Sequence, residues 1–140
     1  MSGSTYKAVI QYAGDGFLIG TSPSGHAQTI EINGDRKAAQ SPMEMLLISV
    51  AACTAADVVS ILEKKRQEVT SYRVEIEGIR RDEYPRSFTG FRIHHIVHGR
   101  SVSEKAVADA IELSDTKYCS VAATVRPAAE ITTSFEIIDG

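Results

Sequence analysis

The N-terminal third of the chain alternates short apolar segments with turn residues. Segments rich in aliphatic, aromatic or β-branched side chains cover residues 6–12, 17–21 and 27–32. Gly14-Asp15-Gly16 separates the first two, and a Ser-Pro-Ser-Gly sequence at residues 22–25 separates the next two. Glycine-rich connections of this length between apolar segments are typical of hairpins. The pattern predicts a three-stranded antiparallel meander.

The apolar pattern then changes to a helical period. Ser41 is suited to an N-cap, Pro42 to the first helical position, and Glu44 has the spacing of a capping box. Apolar residues recur at the 3.6-residue period as far as residue 62, and the other faces are mostly small or apolar. The pattern predicts a long central helix that ends near residue 68.

Two further strands, a helix and a last strand are predicted in the second half. Residues 69–79 and 87–98 alternate apolar and polar side chains, which indicates a long hairpin. Gly99 is expected to break the second strand, and Ser103 to cap a helix that runs to about residue 117. Residues 131–138 are predicted to form the final strand. The order indicates an α+β fold.

The central helix is apolar on more sides than one sheet of six strands can cover, since a sheet shields a single face. A second copy of the chain, related by twofold symmetry, is the economical cover. We therefore expect an obligate homodimer. The length of 140 residues is that of one ordinary domain, so a single domain over residues 1–140 is expected.

Composition and charge narrow the possible partners. The chain is 43% hydrophobic and 24% charged, which is ordinary for a soluble globular protein. A net charge of -3 gives no electropositive field for a phosphate backbone, so no nucleic acid partner is expected. The longest apolar run, residues 45–59, includes Asp57 and is short for about 30 Å of hydrocarbon, so no membrane partner is expected. The polar start lacks a secretion signal, which predicts a cytoplasmic protein.

Cys53 and Cys119 are the candidates for chemistry. Cys53 lies in the predicted central helix among small side chains, and Cys119 follows the predicted second helix. A free cysteine is often no more than a small buried hydrophobe, and a reactive one must be partly accessible. Should the fold bring the two sulfurs into bonding geometry, one thiolate can attack a peroxide and become a sulfenic acid, which the second thiol converts to a disulfide.

Glu44 has two interpretations that do not exclude each other. It is either a capping-box residue or an acid that orients a cation near Cys53. The two residues are about 13 Å apart along one helix, so Glu44 reaches the thiol only through an intermediary or across a dimer interface.

Three histidines, His94, His95 and His98, resemble a metal cluster until strand geometry is applied. His94 and His98 share a face but stand about 13 Å apart, and His95 points the other way. One metal ion cannot bind all three. The sequence also has no Cys-x-x-Cys spacing, phosphate-binding glycine loop or serine-hydrolase elbow. We expect no metal and no cofactor.

Two motifs together resemble the OsmC/Ohr family. They are Ser41-Pro-Met-Glu-Met-Leu-Leu47 leading to Ala51-Ala-Cys53-Thr-Ala, and Leu113-Ser-Asp-Thr-Lys-Tyr-Cys119-Ser-Val121. The resemblance implies an OsmC-like fold in which two three-stranded antiparallel units surround a long buried helix, with a second helix, in an intertwined homodimer. It also implies reduction of organic hydroperoxides, with Cys53 as the attacking and Cys119 as the resolving thiol.

The sequence departs from the specialised hydroperoxide reductases at two points. Their active-site glutamate directly follows the motif proline, whereas here Met43 has that position and the acid is Glu44. They also carry an arginine in the N-terminal strands, whereas the first arginine here is Arg36. The resemblance implies that this arginine stabilises the thiolate, and Arg36, Lys117 and Arg126 are the candidates here for the cation that activates Cys53. With the shifted acid and without the N-terminal arginine, the sequence resembles the broader YhfA-like branch of the family more than the specialised reductases.

The expected function is that of a thiol-dependent peroxidase in oxidative-stress defence, which uses an organic hydroperoxide as substrate and a thiol or dithiol as reductant. The alternative is a non-catalytic dimeric protein that binds a small apolar ligand at the dimer interface, with both cysteines as packing residues. Reactive thiols would favour the peroxidase, and two inert thiols would favour the binding protein.

Overall fold

The computed structural model describes residues 3–33 and 35–140. Two compact units, Met1–Leu46 and Leu47–Gly140, divide the chain within its first helix. The elements are β1 (Val9–Gly14), β2 (Phe17–Thr21), β3 (Ala27–Glu31), α1 (Pro42–Lys64), β4 (Glu68–Arg80), β5 (Phe88–Arg100), α2 (Glu104–Leu113), a π-helical turn (Ser114–Tyr118), α3 (Ser120–Val125) and β6 (Glu130–Asp139). The predicted α+β class with two three-stranded sheets is confirmed. The single domain stays a prediction.

The first unit contains the predicted meander. β1 pairs with β2 and β2 with β3, both antiparallel. Among the described residues of this unit only Ile30 and Glu31 are buried, and apolar side chains of β1 such as Ile10 and Tyr12 are exposed. The buried Glu31 carboxylate accepts hydrogen bonds from the backbone N–H groups of Ala38 at 2.8 Å and Lys37 at 3.2 Å. These bonds, that from Ala38 above all, lower the pKa of Glu31.

Helix α1 begins as the capping box predicts. The Ser41 N–H donates to Glu44 Oε1 at 2.8 Å, and the Glu44 N–H donates to Ser41 Oγ at 3.2 Å. The helix ends at Lys64, earlier than the predicted residue 68. Arg66 adopts a left-handed conformation with φ 58°, and the Gln67 N–H bonds back to the Leu62 carbonyl at 3.0 Å. This Schellman-type ending stops the helix. The run of basic residues 64–66 did not predict where the helix ends.

The sheet of the second unit has the order β4-β5-β6. β4 and β5 form the predicted antiparallel hairpin, but β5 and β6 are parallel, so the expected all-antiparallel second unit is wrong in this pairing. The intervening helical segment supplies the long connection that a parallel pair needs. Gly99 does not break β5, which continues to Arg100. A Cβ at Gly99 would lie 2.2 Å from the carbonyl oxygen of Glu68, so glycine permits the close approach of two strands there.

One stripe of α1 is buried in the core of the second unit. Its members are Val50, Thr54, Val58 and Leu62, and the last two join a cluster with α2 and β5. The rest of the helix was expected to be buried as well. In the single chain, Ile48 is 59% and Val59 47% exposed. The apolar faces of α1 that the sequence argument identified therefore remain uncovered within one chain.

Helix α1 also meets the length and composition expected of a membrane span, with a mean hydropathy of 2.2 over its most apolar window. The apolar run of residues 45–59 is shorter than the full helix, which is 23 residues long. The polar residues in its middle, Thr54 and Asp57, bond to Ser114 of the same unit. Such contacts are typical of a core helix.

Candidate functional site

Cys53 lies near the middle of α1 and is half-buried. Asp57 follows one helical turn later, so both side chains project from the same face of the helix. The remaining members of the site come from the segment between α2 and β6.

Cys119 is positioned by a structure that differs from the predicted second helix. That helix was expected to run to about residue 117, but α2 ends at Leu113 and a π-helical turn follows. The Cys119 N–H donates to the Ser114 carbonyl at 2.8 Å, which closes the wider turn. Cys119 then caps the short helix α3, its Sγ accepting a hydrogen bond from the Ala122 N–H at 3.3 Å. The side chain is buried.

The two thiols and one carboxylate meet in this unit. The Sγ atoms of Cys53 and Cys119 and a carboxylate oxygen of Asp57 all lie within 4.8 Å of one another, and both cysteines are free thiols. Burial raises the pKa of the Cys119 thiol to about 11, together with the adjacent Cys53 thiol and the Asp57 charge. The hydrogen bond from Ala122 acts in the opposite direction. Cys119 is therefore held as a protonated thiol at neutral pH.

Ser114 connects the two parts of the site. Its carbonyl accepts the bond from Cys119 described above, and its Oγ donates to Asp57 Oδ2 at 2.8 Å and lies 3.1 Å from Thr54 Oγ1. Ser114 is completely buried. Ser114 thus binds both the backbone of Cys119 and the carboxylate of Asp57.

Sequence reasoning missed Asp57 and Ser114 as site residues. Asp57 was considered only as a polar interruption of an apolar run. Its spacing from Cys53 is the signal that would have found it, because residues four apart on a helix are neighbours. Ser114 gives no comparable local signal, since its contacts with α1 span nearly sixty residues.

Glu44 has the capping role described above, and its role in orienting a cation stays a prediction. The three candidate cations have other contacts. Arg36 pairs with Asp15, and Arg126 pairs with Asp115. The Lys117 ammonium lies 5.2 Å from the centre of the Tyr118 ring. Within the described part of the second unit, no hydrogen bond or ion pair joins Lys117 or Arg126 to either sulfur.

The histidines point to different environments, as the strand geometry predicted. His94 is near the surface, with Nδ1 2.8 Å from Ser134 Oγ and Nε2 3.3 Å from Glu136 Oε1. His95 is completely buried, and its Nδ1 lies 2.7 Å from the Tyr72 hydroxyl. Burial lowers the pKa of His95 to about 4, with a smaller contribution from His94. His95 is therefore a neutral core residue.

The family model described as OsmC-like protein matches residues 34–134. Protein YhfA of Escherichia coli strain K12 is 47% identical over 121 residues, which cover 86% of this chain and 90% of that protein. A crystal structure of a hypothetical protein from Aquifex aeolicus has a TM-score of 0.87 and 30% identity, with 98% of each chain covered.

A more distant structure is that of the organic hydroperoxide resistance protein OhrB of Bacillus subtilis. Its TM-score is 0.61 at 14% identity, with 95% of this chain and 98% of that chain covered, which shows a common fold. The expected YhfA resemblance is confirmed by the sequence match. With more than two thirds of its length matched by the family model and both motifs in the matched region, this chain belongs to the OsmC-like protein family.

Proposed function

We propose that this protein is a thiol-dependent peroxidase that reduces organic hydroperoxides through Cys53 and Cys119. The observation that supports this most directly is the meeting of the two sulfurs within 4.8 Å, although they are far apart in sequence. Both cysteines are free thiols, and a cycle of this kind starts from two thiols.

The cycle has three steps. The Cys53 thiolate attacks one oxygen of the hydroperoxide, the O–O bond breaks, and the alkoxide leaves as the alcohol after taking a proton, so that Cys53 becomes a sulfenic acid. The Cys119 thiol then attacks the Cys53 sulfur, which forms the disulfide and releases water. A dithiol reductant returns both thiols and is itself oxidised to a disulfide.

The exposure of the two thiols supports their separate roles. Cys53 is half-buried, whereas Cys119 is only 4% exposed, so the more accessible thiol is assigned the attack on the peroxide. A resolving thiol needs to reach only the neighbouring sulfur. The two sulfurs are already within 4.8 Å, so formation of the disulfide requires a further approach of at most about 2.8 Å.

The active form is proposed to be a cytoplasmic homodimer. Apolar side chains are exposed both on β1 of the first unit and on α1 of the second, and Ile10, Ile48 and Val59 are each at least 47% exposed. Exposed apolar side chains of this kind are typical of an interface with a second copy. In such a dimer Glu44 is proposed to act across the interface, where it would orient a cation toward a thiolate.

Consumption of cumene hydroperoxide with dithiothreitol as reductant tests the proposal. We expect turnover by the wild type, none by Cys53→Ser, and a slower cycle with Cys119→Ser in which Cys53 is trapped as a sulfenic acid or as a mixed disulfide. Thr116→Ala is a matched control in the π-helical turn, because the Thr116 hydroxyl bonds to the exposed Glu112 carbonyl and not to the site. A wild-type rate equal to that of Cys53→Ser would remove the peroxidase proposal.

The second candidate function is binding of a small apolar ligand without catalysis. A shallow groove of about 350 Å³ lies between α1 and β4, on the side of α1 formed by Ile48, Ala51 and Ala55. Its lining is mainly apolar, with Arg73 as the charged residue. Native mass spectrometry of the purified protein tests this function: a retained apolar ligand, with thiols inert to hydroperoxide, would favour it over the peroxidase.

A further inference from the structure

We propose that Cys53, Asp57 and Cys119 form a binding site for Zn²⁺, with two thiolates, one carboxylate and one open coordination position. The three ligand atoms lie within 4.8 Å of one another. In a tetrahedral site with Zn–S of about 2.3 Å and Zn–O of about 2.0 Å, ligand atoms are about 3.5–3.8 Å apart. Side-chain movements of about 1 Å therefore convert the observed arrangement into a coordinating one.

The donor set selects the metal. Calcium and magnesium require shells of oxygen ligands, whereas thiolates favour zinc and other thiophilic ions. Two thiolates and a carboxylate carry three negative charges, which a divalent cation neutralises in large part. Binding displaces two thiol protons and transfers no electrons. Three protein ligands leave the fourth position for water or another small ligand.

The surrounding hydrogen bonds already orient two of the three ligands. Ser114 Oγ donates to Oδ2 of Asp57 at 2.8 Å, which holds the carboxylate in place. The Ala122 N–H donates to the sulfur of Cys119 at 3.3 Å. Bonds of this kind to metal ligands fix their direction, and their loss weakens metal binding about 10–100-fold. Ser114 is completely buried, so its contact with Asp57 is protected from water.

A bound zinc ion would protect the thiols from oxidation. Coordination engages both sulfurs, so neither the attack of Cys53 on a peroxide nor disulfide formation with Cys119 is available until the ion leaves. This consequence rests on the proposed peroxidase function, but the metal site itself rests only on the geometry of the three ligands.

Cobalt(II) is the spectroscopic probe. It is titrated into the fully reduced homogeneous protein without chelator, and Zn²⁺ is then added to displace it. We expect one Co²⁺ per chain, with visible bands of a tetrahedral complex and a charge-transfer band of two thiolates. Cys53→Ser and Cys119→Ser should each halve the charge-transfer band. Asp57→Asn should keep the band but weaken binding at least about 10-fold, and Ser114→Ala should weaken it about 10-fold.

Glu63→Gln is the matched control, since it removes an exposed acid from the same helix. We expect cobalt binding equal to that of the wild type, and far-UV circular dichroism checks that each variant is folded. Cobalt binding without a thiolate band, or wild-type affinity in folded Asp57→Asn, would overturn the proposal. Hydroperoxide turnover is measured separately, with chelator. A protein that binds cobalt through two thiolates but consumes no hydroperoxide supports the metal site and contradicts the peroxidase. A protein that consumes hydroperoxide but shows no thiolate band with cobalt supports the peroxidase and contradicts the metal site.

Discussion

Replacement of the buried His95 should remove a large part of the acid sensitivity of this protein. His95 is completely buried, its Nδ1 bonds to the Tyr72 hydroxyl at 2.7 Å, and its Nε2 has no hydrogen-bond partner among the described residues. Protonation within the fold would place a charge in the core without a counterion. Burial accordingly lowers the pKa of His95 from 6.5 to about 4.

The pKa difference gives the size and direction of the effect. Because the folded-state pKa lies below the unfolded-state value, the unfolded chain binds the proton more tightly, and stability falls as the pH falls below 6.5. The full effect, reached below about pH 4, is about 3 kcal/mol. At about pH 5 the loss is already about 2 kcal/mol, before most carboxylates titrate. Above about pH 7 His95 contributes no pH dependence.

Urea denaturation at fixed protein concentration, followed by circular dichroism, measures the effect. The free energy of unfolding of the wild type should fall by about 2 kcal/mol more between about pH 7.5 and 5 than that of His95→Gln. His26→Gln is the control, because the ring of this exposed histidine bonds to the Ser24 hydroxyl at the surface, and this variant should retain the wild-type slope. The double variant Tyr72→Phe with His95→Phe removes both polar partners and should lack the same pH dependence.

An equal loss of stability in wild type and His95→Gln would refute the reasoning. It would mean that His95 is protonated in the fold at pH values near 6, and that the core supplies a stabilising partner for the charge. A loss confined to pH values below about 4 would instead indicate that carboxylates dominate the acid response.

Three further predictions concern packing and assembly. Phe91→Ala should reduce the free energy of unfolding by about 3–5 kcal/mol because Phe91 is 1% exposed, whereas Tyr84→Ala at an 88% exposed side chain should change it by less than about 0.5 kcal/mol. Gly99→Ala should destabilise by about 1–3 kcal/mol more than Gly90→Ala, since only the former places a Cβ against a backbone carbonyl at 2.2 Å; urea denaturation of both variants checks this. Ile48→Asp should shift the protein from dimer to monomer in light scattering after size-exclusion chromatography, and an unchanged mass would contradict the proposed interface.

The features that depend on neighbouring residues could be predicted from the sequence. The start of α1 is one, because the reciprocal bonds of Ser41 and Glu44 join residues three apart. The hairpin of β4 and β5 is another, since its strands are adjacent in sequence. The direction of β6 could not be predicted in the same way. It depends on how the helical segment returns the chain to the sheet, and alternation of side chains within the strand is the same for parallel and antiparallel partners.

The candidate site combines features that depend on neighbouring residues with features that depend on residues far apart in the sequence. Cys53 and Asp57 share a face of α1 as soon as the helix is assigned, so half of the site follows from local periodicity. Cys119 reaches them only because α2 ends in a π-helical turn, in which the Cys119 N–H bonds to the Ser114 carbonyl while the Ser114 hydroxyl bonds to Asp57. Without that extra residue per turn, the chain beyond Ser114 would continue as an α-helix and Cys119 would leave in another direction. Ser114 therefore links the segment that carries Cys119 to the helix that carries Cys53, although it contributes no atom to the proposed peroxidase cycle and no ligand to the proposed metal site.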